Sequence, residues 1–191
     1  MPEETDLDDV LLDAEERMDS AVQFLAGELS RLRTGKASPA LVENVQVSYY
    51  GTQTRLRELA NITTPEPRLI VVHPYDPSSV KEIEKAIMAA NLGLTPVADG
   101  KIIRIPIPEL SEERRQELVK VARRVAEDQR VAVRNVRRDA NERIRAMQKE
   151  GKITEDDRDR ALEEVQKLTD EHVRRIDQMA QEKEREIMDV G

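Results

Sequence analysis

The sequence predicts an α+β protein: an elongated three-helix bundle, discontinuous in sequence, carrying a small inserted α/β domain on a two-stranded hinge. Three observations point there. Long runs at both ends of the chain repeat apolar residues at helical spacing without an internal proline. The stretch between them holds all three tyrosines, most of the nine prolines and several short β-branched runs. Charged residues make up 37% of the 191-residue chain and aromatics 2%, a composition that suits long charged helices better than a sandwich or barrel.

The first helix is marked by Leu7, Leu11, Ala14, Met18, Ala21, Leu25, Leu29 and Leu32, spaced mostly by four and three. A second begins at Ser111 in the sequence SEER, with the serine as a candidate N-cap, and ends near Gly151. A third follows Thr154 in TEDD, with Leu162, Val165, Leu168, His172, Ile176, Met179 and Ile187 along its seam. An isolated amphipathic helix is marginal in water, so the three stripes require each other. Residues 1–33 and 109–191 therefore form the bundle, and 34–108 the insert.

Within the insert, VQVSYY alternates, with Val45, Val47 and Tyr49 on one face and a turn at Gly51-Thr52. LIVVH and IIRIPI are further strands, and PSSVKEIEKAIMAANLGL reads as a helix stopped at Gly93. The result is a β-α-β, sandwich-like module. Its two connections, TGKASP and IPIPEL, contain Gly35, Pro39, Pro106 and Pro108. They describe either a bending axis or a rigid elbow.

Charge is distributed unevenly. The net charge is -8, yet residues 111–150 contain more Lys and Arg than Asp and Glu, while both ends of the chain are acidic. On a helical projection with Arg123 at zero, Arg130, Arg134, Arg137, Arg138 and Arg145 fall between about -40° and +60°. Leu118, Val121, Val125, Ala132, Val136, Ala140, Ile144 and Met147 fall on the other side and are expected in the core. The ordinary reading is a solvated face whose arginines pair with Glu127 and Asp128. Those acids are too few for six arginines, and guanidinium forks suit bidentate phosphate contacts. Without stacking aromatics or a glycine-rich loop, such a row fits the backbone of folded RNA better than base reading.

Chemistry is sparse. The chain has no cysteine and two histidines, and it lacks the nucleophile elbow, phosphate loop and metal spacings of common enzymes. His172 on a seam is expected to pack in the core, and His73 after LIVV to close a strand. EDDRDR at 155–160 lacks the turn glycine of a calcium loop. The N-terminus is acidic, without the features of an export signal, and no run approaches membrane-spanning length. These features lead to the expectation of a soluble cytoplasmic monomer, with no catalytic residue, metal or cofactor.

Several stretches together resemble the ribosome recycling factor family: RTGKASPAL at 33–41, YYGTQTRLRELA at 49–60, EKAIMAANLGLTP at 84–96, LSEERR at 110–115 and RVAVRNVRRDAN at 130–141. The similarity runs from about Leu11 to the C-terminus, leaving the acidic first ten or so residues as an extension. It implies an L-shaped molecule that binds the post-termination ribosome, contacts large-subunit rRNA through its bundle, and acts with elongation factor G and GTP to split the subunits. The family's rRNA-contacting arginines map to Arg130, Arg134, Arg137 and Arg138, and its hinge to Arg33, Thr34, Gly35 and Lys36 with Ile105, Pro106, Ile107 and Pro108. Lys36, Arg55 and Glu109 depart from the common family residues. A helical adaptor that binds proteins along its seams is the alternative, and an enzyme using Tyr49, Tyr50, His73 and Asp76 is a weaker rival.

Overall fold

Helix formation at the start of the chain is driven by a reciprocal cap: the Asp6 side chain accepts from the Asp9 backbone N–H, and the Asp9 carboxylate accepts from that of Asp6. The structure, a computed structural model, describes residues 6–189, so the acidic start at residues 1–5 lies outside the described residues. The capped helix, α1, spans Leu7–Ser30. The next elements are short: strands β1 (Gln46–Tyr49) and β2 (Thr52–Arg55), a single helical turn α2 (Leu56–Leu59), strands β3 (Ala60–Glu66) and β4 (Leu69–Pro74), and helix α3 (Val80–Ala89). After β5 (Val97–Asp99) and β6 (Ile102–Pro106) come the two long helices, α4 (Glu112–Lys149) and α5 (Glu155–Met188).

The chain divides into two compact units. One comprises the chain up to Leu32 together with Glu113–Asp189, and the other Arg33–Glu112.

In the helical unit, the ends of the long helices follow from local chemistry. Gly151 at φ 75 ends α4, its N–H donating to Gln148 and that of Lys152 to Met147, which is the Schellman pattern. Thr154 and Asp157 then form a second reciprocal cap for α5. The core is aliphatic and fine-grained. From α1 it takes Val10, Ala14, Met18, Ala21, Val22, Leu25 and Leu29; from α4, Leu118, Ala122, Ala126, Val133, Val136, Ala140 and Ile144; from α5, Ala161, Val165, Ile176, Ala180 and Ile187. Several expected core positions are displaced. Val121, Val125, Ala132 and Met147 are only half-buried, as are Leu7, Leu11, Leu32, Leu162, Leu168 and Met179. Small residues fill part of each buried line, among them Ala14 and Ala21 of α1 and Ala161 and Ala180 of α5, two helices that approach each other closely. The larger residues flank those lines.

The second unit has a four-stranded sheet in the order β3-β4-β6-β5 and a separate β1-β2 hairpin, all antiparallel. Strand β3 and the short β5 were not apparent in the sequence. The hairpin turns at Tyr50-Gly51, both at positive φ, one residue before the expected position, because Tyr49 pairs with Thr52. Val47 and Leu56 from the hairpin region, Ile70 and Val72 from β4, Ile83 and Ile87 from α3, and Ile103 and Ile105 from β6 are buried in one core.

His172 is 2% exposed and sits in the helical core with both ring nitrogens engaged. Nδ1 lies 2.6 Å from the Leu168 carbonyl, an acceptor only, and therefore carries hydrogen. Nε2 lies 2.6 Å from the Asp19 carboxylate of α1, which Arg175 also approaches at 3.2 Å. The His172 contact, aided by Arg175, holds the Asp19 carboxyl below its ordinary 3.8. A depressed carboxylate stabilises the fold above its unfolded pKa, and that contribution is lost as pH falls through the lower folded value. Asp19→Asn is therefore expected to lower the melting temperature by about 2–4 °C at neutral pH, equivalent to about 1 kcal/mol for a partly exposed pair. The deficit should begin to shrink as pH falls to about 4 and vanish only once the pH lies below the lowered folded value. Thermal melts across pH check this; a deficit independent of pH contradicts it.

Candidate nucleic-acid interface

The rotation of α4 about its axis is fixed by its apolar line, and the arginines are sorted by their distance from that line. With Ala122, Ala126, Val133 and Ala140 directed inward, the two flanks of α4 face α1 and α5. On the α1 side, Asp139 accepts from Arg17 at 2.7 Å and Arg143 donates to Asp13 at 3.0 Å. On the α5 side, Arg123 meets Glu184 through Nε and Nη2 at 2.6 and 3.3 Å, and Arg130 meets Asp177 at 2.6 Å. Glu127 adds contacts to Arg130 at 3.0 Å and Arg134 at 3.6 Å. Burial works against charge at Arg130, but Asp177 and Glu127 outweigh it and raise its pKa. A cleft of about 490 Å³ lies along this flank, and the carboxylates of Glu127, Asp177 and Glu184 offset the arginines that line it.

The six arginines expected on one face thus divide into two sets. Arg123, Arg130 and Arg134 are tied to carboxylates. Arg137, Arg138 and Arg145 have no carboxylate within ion-pairing distance among the described residues. Arg138 and Arg145 are exposed and Arg137 half-buried. Arg124 is likewise exposed and has no ion pair among the described residues. At about 100° on the projection it continues the line of Arg138 and Arg145 at seven-residue multiples. It lies further from the buried line of α4 than the six expected arginines, at the outer edge of their face. Asp128 and Glu142 share this side, so the face has an excess of guanidinium groups without being purely basic.

The weaker rival's Tyr49, Tyr50 and Asp76 do come together: Tyr50 packs edge-on against Tyr49, whose hydroxyl donates to Asp76 at 3.0 Å. That hydrogen bond raises the Tyr49 pKa, which makes it a poorer nucleophile. Asp76 is committed to the Ser78 N–H and hydroxyl, capping a short 3-10 turn. His73 instead neighbours Thr63 at 3.5 Å. No group of His, Cys, Asp or Glu among the described residues is arranged to hold a metal ion. No helix among them is long and apolar enough to cross a membrane.

The expected hinge residues lie in the second unit, most of them tied into its structure. Arg33 donates to the Leu92 carbonyl at 2.5 Å, and Thr34 is buried. Gly35 has φ 76, and a Cβ there would lie 3.3 Å from Leu110 Cγ, so glycine is needed for both conformation and space. Lys36 is half-buried. Ile105 and Pro106 pair with Ile70 and Leu69 in the sheet, and the Ile107 N–H donates to the Arg68 carbonyl at 2.8 Å. Pro108 is exposed, and Glu109 pairs with Arg68 at 3.1 Å.

Comparison with known proteins accounts for the fold. The family model described as ribosome recycling factor matches residues 25–188. The ribosome-recycling factor of Geobacillus sp. (strain WCH70) is 50% identical over 177 residues, covering 93% of this chain and 96% of that one. That of Bacillus subtilis (strain 168) is 51% identical over 182 residues, covering 95% and 98%. The solution structure of a ribosome recycling factor matches with a TM-score of 0.75 at 43% identity, over 95% of this chain and 97% of that one. Models of the T. thermophilus ribosome recycling factor with the E. coli elongation factor G, bound to the E. coli post-termination complex, match at 0.63 and 42%, over 97% and 99%. With half its residues shared over nearly the full length of such relatives, the chain belongs to the ribosome recycling factor family.

Proposed function

We propose that this protein is a translation factor of the cytoplasm that binds the post-termination ribosome and, with elongation factor G and GTP, separates its subunits. It catalyses no reaction itself; the GTP is hydrolysed by its partner. The observation that carries this reading, beside family membership, is the row of arginines on α4 that the protein's own carboxylates do not neutralise. Arg137, Arg138 and Arg145, joined by Arg124, present guanidinium forks suited to large-subunit rRNA phosphates. Arg123, Arg130 and Arg134 border that surface and are held by the bundle. The acidic remainder of the chain repels nucleic acid elsewhere and restricts binding to this orientation.

Phosphate contacts release counterions, so binding should weaken steeply with salt. Arg137→Glu is expected to reduce large-subunit affinity by roughly 10- to 100-fold while leaving the melting temperature unchanged, as for loss of a charge-assisted contact. Replacing Arg137, Arg138 and Arg145 together by Ala should lower the slope of log affinity against log salt by about three, about one per phosphate contact. Co-sedimentation with purified large subunits at several salt concentrations measures both. Unchanged affinity and slope would refute the assignment.

In this reading the helical unit is the anchor and the second unit the arm that elongation factor G displaces. Because Ala37 and Ile105–Ile107 are tied into the second unit, bending in this reading falls near Leu32–Arg33 and in the segment between Ile107 and the start of α4. The absence of native cysteine permits one engineered cysteine in each unit and a cross-link between them. The linked protein should bind large subunits normally and split ribosomes at least several-fold more slowly; wild-type splitting rates in the locked form would sink the lever.

A further inference from the structure

Two ion pairs set a register along the seam between α4 and α5. Arg123 meets Glu184, and seven residues further along α4, and seven back along α5, Arg130 meets Asp177. Seven residues make nearly two turns, so each such step returns to the same side of both antiparallel helices. The next step places Arg137 opposite Asp170, and there the series of pairs stops. Arg137 has no ion pair among the described residues, and Asp170 Oδ1 accepts instead from Gln166 Nε2 at 2.9 Å, one turn back on its own helix. On the same side of α4, the buried Oδ1 of Asn141 has no hydrogen-bond partner. The polar ladder that closes the first two levels is open at the third.

We infer that Gln166 and Asp170 are positioning residues for the RNA-binding surface: the Gln166 amide holds the Asp170 carboxylate turned along its own helix, away from the rotamer in which it would pair with Arg137, and so keeps that guanidinium available for a phosphate. The inference rests on the function proposed above. An i,i+4 Gln–Asp hydrogen bond and an exposed Arg–Asp pair are both weak and of similar size, so removing one lets the other form. Closing the third pair makes RNA compete with Asp170 for Arg137. Neither Gln166 nor Asp170 touches the RNA; both act through Arg137.

The test uses the full chain and purified large ribosomal subunits. Gln166→Ala should weaken binding by about two- to five-fold, the range expected for breaking a surface ion pair on binding. In an Arg137→Ala background the same substitution should have no effect. Adding Asp170→Asn to Gln166→Ala should restore binding, which loss of helix stability would not allow. Wild-type affinity for Gln166→Ala, or an equal loss with and without Arg137, overturns the inference. A second measurement needs no ribosome. Exchange of the Arg137 Nε–H, followed by NMR, should slow in Gln166→Ala and return to the wild-type rate in the double variant. Unchanged exchange overturns the inference, whereas absence of salt-sensitive subunit binding by the wild-type chain overturns the functional reading.

Discussion

Everything distinctive about the helical unit depends on how α4 is rotated by its packing. Ala122, Ala126, Val133 and Ala140 form a line with little side-chain bulk, flanked by half-buried Val121 and Val125. This buried line fixes one face of α4 toward the core, so any turn of the helix about its axis would be felt as lost contact. That rotation places Arg143 against Asp13, and Arg123 and Arg130 against Glu184 and Asp177, on opposite flanks. Only the remaining sector is left for arginines without intramolecular partners. The core therefore selects which cations serve the fold and which face solvent.

The same economy applies to the acidic residues. An acidic chain that binds RNA must keep its carboxylates from closing onto the binding arginines. Here Glu127, Asp177 and Glu184 are spent on the flank, and Asp19 is held by His172 and Arg175. Surface ion pairs contribute little stability individually. Their greater consequence is geometric, since they fix the edges of the free arginine surface. The second unit is built on different terms. Its sheet, hairpin and α3 share one aliphatic core, and the segments by which the chain enters and leaves are stitched to it through the Ala37 N–H to the Pro67 carbonyl and the Ile107 N–H to the Arg68 carbonyl.

Much of this was legible in the sequence, and the misses share a cause. Cap residues such as Thr154, the stop at Gly151 and the strands LIVVH and IIRIPI follow from local chemistry, and so did the three helices. The exact core line did not, because hydrophobic size favours Val125 or Leu168 over Ala126 or Thr169, whereas helix proximity rewards the smaller residue. Strand β3, ANITTPE, was hidden by its polar residues and proline, which an outer strand tolerates. For the arginine row, periodicity gave the face but not the partners. Glu184 and Asp177 lie more than 40 residues from the arginines they hold, and only the antiparallel register of α4 and α5 brings them together.

The central claim, that packing divides one arginine row into structural and ligand-binding members, is tested by comparing two single substitutions in the same pair of assays. Arg130→Ala breaks a flank ion pair and is expected to lower the melting temperature by about 1–4 °C while changing large-subunit affinity little. Arg138→Ala should leave the melting temperature unchanged and reduce affinity severalfold. Equal effects of both substitutions in both assays, or the reverse assignment, would contradict the account.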